Sequence, residues 1–377
     1  MRLVSLSYVQ WKETPKEWRV DGILFGLTNL LVGPNASGKS RILNVISVLA
    51  NLVAGDRKAT LLSGEWDINF ESERQKFNYI LQVNDQKVTK EVFRDEKRTY
   101  LDRGDGGAGK IWAEKLNGEI EIQVPQGELA AVARRDAIQH PYFESLHHWG
   151  NSLYHYPFGG SLGKDVMALI DSSIKRDVNP RDPMQVIGIY RHGQKTFGAE
   201  FDESIKRDMA AIGYPIQNLG TQTPTSIHFQ GPQPIALYVK ESGLGDVTDQ
   251  VDMSQGMFRA FSIIIQLNYS AMTRKPSCIL IDDIGEGLDF ERSCCLIKLL
   301  MRKAEDAPVQ LIMSTNDRFV MNTVPLEAWT VLRRTGPKIK IYNYTNSKER
   351  FDQFKFTGMN NFDFFASNFL EESANGK

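Results

Sequence analysis

The stretch Leu30-Leu31-Val32-Gly33-Pro34-Asn35-Ala36-Ser37-Gly38-Lys39-Ser40 constrains this chain more than any other part of it. An apolar strand runs into a loop framed by two glycines, and after Arg41 the residues Ile42, Leu43, Val45, Ile46, Val48 and Leu49 recur at helical spacing. The loop fits G-x-x-x-x-G-K-[ST]. In such a strand–loop–helix unit the backbone N–H groups wrap phosphate oxygens, the lysine reaches the terminal phosphates and the serine hydroxyl holds Mg²⁺. Gly33 to Ser40, with Arg41 beside them, are therefore expected to bind a nucleotide.

Composition narrows the setting. A chain of 377 residues is expected to form about two domains, or one large one with insertions. Lys+Arg 45 against Asp+Glu 46 leaves a formal charge of -1, so no global footprint for nucleic acid is visible, although a local basic groove is compatible with it. Cys278, Cys294 and Cys295 show neither metal spacing nor an even set for disulfides, which points to a reducing cytoplasm. No apolar run approaches the ~20 residues that span a bilayer, so no membrane association is expected.

Along the chain, Met1 to Val9 reads as a strand, Trp18 to Val20 opens a second segment, and the helix after Ser40 is expected to run to about Val53. Trp66–Glu71, Phe77–Val83 and Val88–Phe93 alternate in the manner of an antiparallel meander. Leu101 to Lys110, rich in glycine and charge, reads as a surface loop before a strand at Gly118 to Val124. Helical composition follows at Glu128–Ala133, Tyr142–Trp149, Gly163–Arg176 and Phe201–Ile212, and Gly220 to Pro234 reads as a linker. His140, His147, His148 and His155 lie close in sequence, but their aromatic neighbours Tyr142, Phe143, Trp149, Tyr154 and Tyr156 suggest a packed lobe rather than a metal site. The phenylalanine-rich tail from Phe351 to Phe369 is expected to be core or a docking surface.

The second half supplies further chemistry. At Cys278-Ile279-Leu280-Ile281-Asp282-Asp283 a buried-type strand ends in two carboxylates, as a Walker B strand does: Asp282 for Mg²⁺, the adjacent acid for the attacking water. The run Ile281 to Asp289, read whole, resembles the Walker B and D-loop of ABC-type ATPases, with Asp289 on the D-loop aspartate. Asp252-Met253-Ser254-Gln255-Gly256-Met257-Phe258-Arg259 resembles the signature motif of RecF-like, SMC-like and OLD-like members, with Ser254 and Gly256 at the matching positions and Met253 where leucine is usual. Val124-Pro125-Gln126-Gly127 resembles their Q-loop, which would bring Gln126 to Mg²⁺ or the water. Ser314-Thr315-Asn316-Asp317 falls at the switch loop, with Asn316 in place of the usual histidine.

The resemblance implies an α/β P-loop NTPase fold of ABC-ATPase type: a parallel core sheet, an antiparallel β-meander lobe and an inserted helical lobe. It divides the chain into an N-terminal lobe over 1–160, a helical insertion and linker over 161–234, and a C-terminal lobe over 235–377. It implies ATP and Mg²⁺ as ligands, and a homodimer in which Ser254 and Gly256 of one copy face the nucleotide of the other. Asp283 stands where a glutamate is usual, one methylene shorter, and Asn316 is neutral. Both substitutions imply slow hydrolysis of ATP to ADP and phosphate, with Glu286 as a second candidate base. Nothing after about residue 345 is long enough for the nuclease domain of OLD proteins. The expected role is thus an ATP-gated cytoplasmic switch for a separately encoded effector, a nuclease or toxin, in anti-phage defence, responding to a phage component. The alternative is a DNA repair or recombination ATPase acting directly on DNA.

Overall fold

The structure, a computed structural model, describes residues 1–72, 75–169, 178–226, 233–273, 277–307, 309–367 and 369–370. They form two compact units. The first comprises Met1–Leu153 and Ala328–Lys348, the second Tyr154–Glu327 and Glu349–Lys377. The expected three-part division drew its boundaries elsewhere, at 160 and 234.

In chain order the first unit holds β1 (Arg2–Gln10), β2 (Trp18–Leu24), β3 (Thr28–Val32), α1 (Lys39–Ala54), β4 (Ser63–Glu71), β5 (Lys76–Asn84), β6 (Lys87–Asp95), β7 (Thr99–Arg103), β8 (Ala108–Ala113), β9 (Gly118–Gln123), α2 (Ala130–Ala133) and α3 (Tyr142–Asn151). The second holds β10 (Leu153–Pro157), which begins at the cut, β11 (Ala168–Leu169), α4 (Val186–Phe197), α5 (Ala199–Ala211), β12 (Ile216–Gln222), β13 (Pro234–Glu241), β14 (Thr248–Asp249), α6 (Gln255–Met272), β15 (Cys278–Asp282), α7 (Phe290–Asp306), β16 (Gln310–Ser314) and α8 (Arg318–Thr323). The chain then returns to the first unit as β17 (Trp329–Thr335) and β18 (Lys338–Asn343), and ends in the second as α9 (Lys348–Lys355) and α10 (Asn361–Ala366).

The sheet of the first unit runs β3-β17-β18-β2-β1-β4-β5-β6-β7-β8-β9. Its β3–β17 and β18–β2 pairs are parallel, and from β2–β1 onward to β9 every pair is antiparallel. The meander expected from alternation is thus present, and it buries one face. Trp66 lies against Tyr8 with ring centres 4.8 Å apart and donates its Nε1–H to the Val45 carbonyl on α1 at 3.3 Å; Phe70 meets Trp149 of α3 edge-on at 4.8 Å. In the second unit β10, β15 and β16 lie side by side, with β15 and β16 parallel, and a separate small sheet runs β11-β13-β12 with β14 on β13. Helix α6 is buried on nearly all sides, as expected of a helix apolar around its circumference. Its polar Asn268 is satisfied within that core, accepting from Ser204 at 2.6 Å and donating to Asp208 at 2.7 Å.

Four expectations require correction. Leu101 to Lys110 is not a loop: Leu101 and Arg103 are buried in β7, and the glycines serve the turn, with Gly106 at φ 79° and Gly107 at φ 89°. The helix expected over 128–133 shrinks to α2, because the chain leaves β9 through Pro125 and the Glu128 carbonyl is held by Arg103 rather than by a helical turn. Gly163 to Leu169 is turn and strand, not helix; the Gly163, Lys164 and Val166 carbonyls all accept from the Gln250 amide, and the remainder of that expected helix lies outside the described residues. Gly220 to Gln222 belong to β12, where the Tyr238 ring covers Gly220 so closely that a Cβ there would sit 2.7 Å from it; part of the expected linker lies outside the described residues. Helix α4 was not anticipated at all. In the tail, Phe351, Phe354 and Phe364 are core, packed on one another and on Phe369, whereas Phe356 is 91% exposed.

Helix α3 crosses α1 at Gly150, where an added Cβ would lie 2.6 Å from the Ala50 carbonyl oxygen and 2.7 Å from Val53. Replacing a helical glycine by alanine normally stabilises by up to about 0.5–1 kcal/mol. Here overpacking, typically about 1–3 kcal/mol, outweighs it. Gly150→Ala is expected to lower the unfolding midpoint in a urea titration; an increase would contradict this packing.

Candidate functional site

In the first unit, the buried end of β3 delivers the chain to Gly33, where any side chain would collide: a Cβ would sit 2.7 Å from the Leu332 carbonyl oxygen and 2.6 Å from Ser37 Oγ. Pro34 and Asn35 are exposed, and the Pro34 carbonyl accepts from the Ser37 amide at 3.2 Å. Ala36 at φ 62° and Gly38 at φ 104° then turn the loop through left-handed conformations into α1. Gly38 carries no capping side chain and the first turn of this 16-residue helix holds no acid, so its amide dipoles face the loop unneutralised. Lys39 is only 6% exposed and folds back over the loop, its Nζ donating to the Gly33 carbonyl at 2.8 Å and the Pro34 carbonyl at 3.3 Å. Ser40 follows, half-buried. Arg41 is directed to β1 and β2, stacked 4.2 Å over Trp18 and donating to Gln10 Oε1 at 2.5 Å; burial lowers its pKa from the ordinary value.

Gln126 lies three residues after β9, in the strand–turn–helix setting expected of it. Its carbonyl accepts from the Val88 amide at 2.8 Å, while its half-buried side chain makes no hydrogen bond among the described residues.

In the second unit β15 and β16 run in register from Cys278↔Gln310 to Ile281↔Met313. The pairing places Asp282 and Asp283 beside Ser314. The Ser314 hydroxyl donates to Asp282 Oδ1 and accepts from the Asp283 amide at 2.9 Å. Asp283 adopts φ 52°, a left-handed conformation that aspartate tolerates better than most residues. Its Oδ1 accepts from Asn316 Nδ2 at 3.2 Å, so the two positions singled out for hydrolysis are in contact. Glu286 is exposed and its carboxylate has no hydrogen-bond partner among the described residues. Burial lowers the pKa of His155 on β10, against the opposing pull of Asp282.

Ser254 caps α6, accepting from the Met257 amide at 3.1 Å, and remains exposed, while Met253 is buried. Gly256 is required by contact with the loop before α7, because a Cβ would lie 2.2 Å from the Gly287 carbonyl oxygen. Asp289 caps α7, accepting from the Arg292 amide at 3.0 Å and pairing with the Arg292 guanidinium; these bonds, the backbone one first, hold its carboxyl below the ordinary range.

Two further basic residues organise this half. Arg259 donates to the Gly159, Gly160 and Glu286 carbonyls at 2.8, 2.9 and 2.9 Å. Lys164 donates to the carbonyl of Met253 at 2.5 Å and to those of Gln250 and Val251 at 3.3 Å, fixing the approach to Ser254. Arg259 lies in the stretch that resembles the signature motif. Lys164 carried no signal, being 90 residues from the serine it supports. Among the described residues no three His, Cys, Asp or Glu side chains converge on a common point, and no helix is long and apolar enough to cross a membrane.

No protein-family profile matches the sequence, and no curated protein does. Solved structures do match. The crystal structure of an SMC head bound to the C-winged helix domain of ScpA is 16% identical, aligned over 93% of this chain and 99% of its own, with a TM-score of 0.54. The SMC head domain from Thermotoga maritima is 13% identical over 91% and 99%, with a TM-score of 0.48. The Smc head with an extended coiled coil bound to the C-terminal domain of ScpA, from Pyrococcus furiosus, is 12% identical over 94% and 99%, with a TM-score of 0.47. The first likeness, together with the mixed sheet and the order of elements, shows an α/β fold of the SMC-head kind, that is, of ABC-ATPase type.

Proposed function

We propose that this chain binds ATP with Mg²⁺, hydrolyses it slowly to ADP and phosphate, and uses ATP-dependent dimerisation as a switch for a separately encoded protein. The observation that carries the reading is the loop from Gly33 to Ser40, where two left-handed residues and an uncapped helix start surround a buried lysine. A triphosphate would take over the Lys39 ammonium from the Gly33 and Pro34 carbonyls and receive the N–H groups at the start of α1.

The Ser40 hydroxyl and the Gln126 amide oxygen in the first unit, and the Asp282 carboxylate in the second, are each hard oxygen donors of the kind Mg²⁺ prefers. When bound, the ion would neutralise charge on the phosphates. Asp283 orients and deprotonates the attacking water, and Asn316, bonded to it at 3.2 Å, fixes its carboxylate. Glu286, exposed, is the weaker candidate base. An aspartate held at φ 52° and a neutral amide in place of the family's usual histidine both favour slow turnover. The exposed Ser254, at the N-terminus of the 18-residue α6, with Gly256 and Asp289 beside it, suits the nucleotide of a second copy.

The near-neutral charge of -1 favours a protein partner, as does the likeness to a head seen with ScpA. The biological setting we favour is anti-phage defence, with a nuclease or toxin as effector. A DNA repair ATPase acting directly on DNA is the alternative, and tight ATP-dependent binding of plain duplex by the chain alone at physiological salt would favour it.

Four outcomes are expected. Lys39→Ala abolishes ATP binding measured by calorimetry, whereas Ser254→Arg leaves binding intact but abolishes ATP-dependent dimerisation in light scattering; undiminished dimerisation in the second variant would refute the shared site. Steady-state turnover without a partner stays below about one per second, at the foot of the usual enzyme range. Asp283→Asn, which keeps a left-handed-tolerant side chain of the same shape, lowers turnover by about a hundredfold or more with ATP affinity retained; unchanged turnover would move the base elsewhere, with Glu286 next to be tested.

A further inference from the structure

Inside the meander of the first unit, Glu91 and Arg103 face each other with no solvent exposure, Arg103 Nη1 lying 3.4 Å from Glu91 Oε2. A buried ion pair is weak evidence of stabilisation, since desolvation offsets much of the attraction. That balance holds here: burial raises the Glu91 pKa against the combined pull of the Ala131 and Ala130 amides, Arg103 and Tyr79. Among the described residues the Arg103 Nε–H has no hydrogen-bond partner. The pair must therefore be explained by what it holds.

What it holds is the segment carrying Gln126. Arg103 donates through Nη2 to the Pro125 carbonyl at 2.9 Å and the Val124 carbonyl at 3.4 Å, and through Nη1 to the Glu128 carbonyl at 2.6 Å. Glu91 accepts from the Ala130 amide at 2.6 Å and the Ala131 amide at 3.0 Å. The Gln126 and Gly127 carbonyls in between accept from the Val88 and Ala59 amides at 2.8 and 3.2 Å. Every carbonyl from Val124 to Glu128 is thereby occupied, while the Gln126 side chain is left unbonded among the described residues. The backbone is immobilised and one side chain is presented.

We propose that Glu91 and Arg103 are positioning residues for Gln126, fixing its backbone so that its amide is preorganised for the water or ion it contacts. The proposal rests on the ATPase reading above. Arg is needed rather than Lys because a planar fork reaches several carbonyls at once, whereas a single ammonium does not.

The test is a double-mutant cycle on the full chain, with ATP affinity and kcat measured for wild type, Gln126→Ala, Arg103→Lys and the double variant. Arg103→Lys preserves the charge opposite Glu91 and removes the fork. The expected result is a kcat lowered about tenfold in each single variant, ATP affinity within about twofold of wild type, and a double variant no slower than Gln126→Ala alone. Multiplicative losses, or unchanged kcat in Arg103→Lys, would overturn the proposal while leaving the ATPase reading intact; unchanged kcat in Gln126→Ala would do the same. A wild-type chain that neither binds nor hydrolyses ATP would overturn both. If Arg103→Lys fails to fold, amide hydrogen exchange on the wild-type chain decides. The Ala130 and Ala131 protons should exchange as slowly as those of the flanking β6 strand, and exchange at the rate of an exposed loop would overturn the proposal.

Discussion

The second unit depends on the parallel register of β15 and β16. Because Ile281 pairs with Met313, the two strands end together, and Ser314 can serve both aspartates at once, donating to Asp282 and accepting from the Asp283 amide. The same register lets the Ile284 amide reach the Ser314 carbonyl at 2.9 Å and the Thr315 hydroxyl reach the Ile284 carbonyl at 2.8 Å. A slip of one residue would turn every side chain to the opposite face and separate Asp283 from Asn316. The apolar residues of both strands, Cys278 to Ile281 and Leu311 to Met313, all buried, fix the register from within.

That rigidity sustains local strain. A non-glycine residue in a left-handed conformation is disfavoured by about 1–3 kcal/mol, less for aspartate, and persists where its surroundings over-determine it. Asp283 meets this condition through Ser314 on one side and Gly159 on the other, where an added Cβ would lie 3.0 Å from the Asp283 Cβ. Ala36, in the loop before α1, is likewise left-handed, at φ 62°. Both strained residues stand at positions marked by the chemistry of their neighbours, not by regular secondary structure.

Much of this was legible in the sequence because it rests on short-range pattern. The strand–loop–helix around Gly33, the antiparallel meander and the strand ending at Asp282 appear as expected. The failures share a physical cause. Glycines at 104, 106, 107 and 109 look like a loop, yet they serve a tight hairpin, and at Gly109 a Cβ would lie 2.4 Å from the Asp102 carbonyl oxygen. Lys90-Glu91 within β6 looks like a solvated pair, and only the partner strand, through Arg103, makes Glu91 internal. Val186 to Phe197 contains Gly188 and Gly193, which weaken a helix signal; Gly193 is required because the Phe201 ring would lie 2.5 Å from a Cβ there. In each case the deciding contact lies outside the local window.

The contact of Gly256 with the Gly287 carbonyl leaves no slack between the start of α6 and the loop before α7. Arg259 bridges the same gap and also grips Gly159 and Gly160, which border Asp283. The three segments form a stiff truss. Ser254 at one end of this truss and the backbone around Asp283 at the other are thereby held in register with one another through Gly256, Arg259 and Gly159.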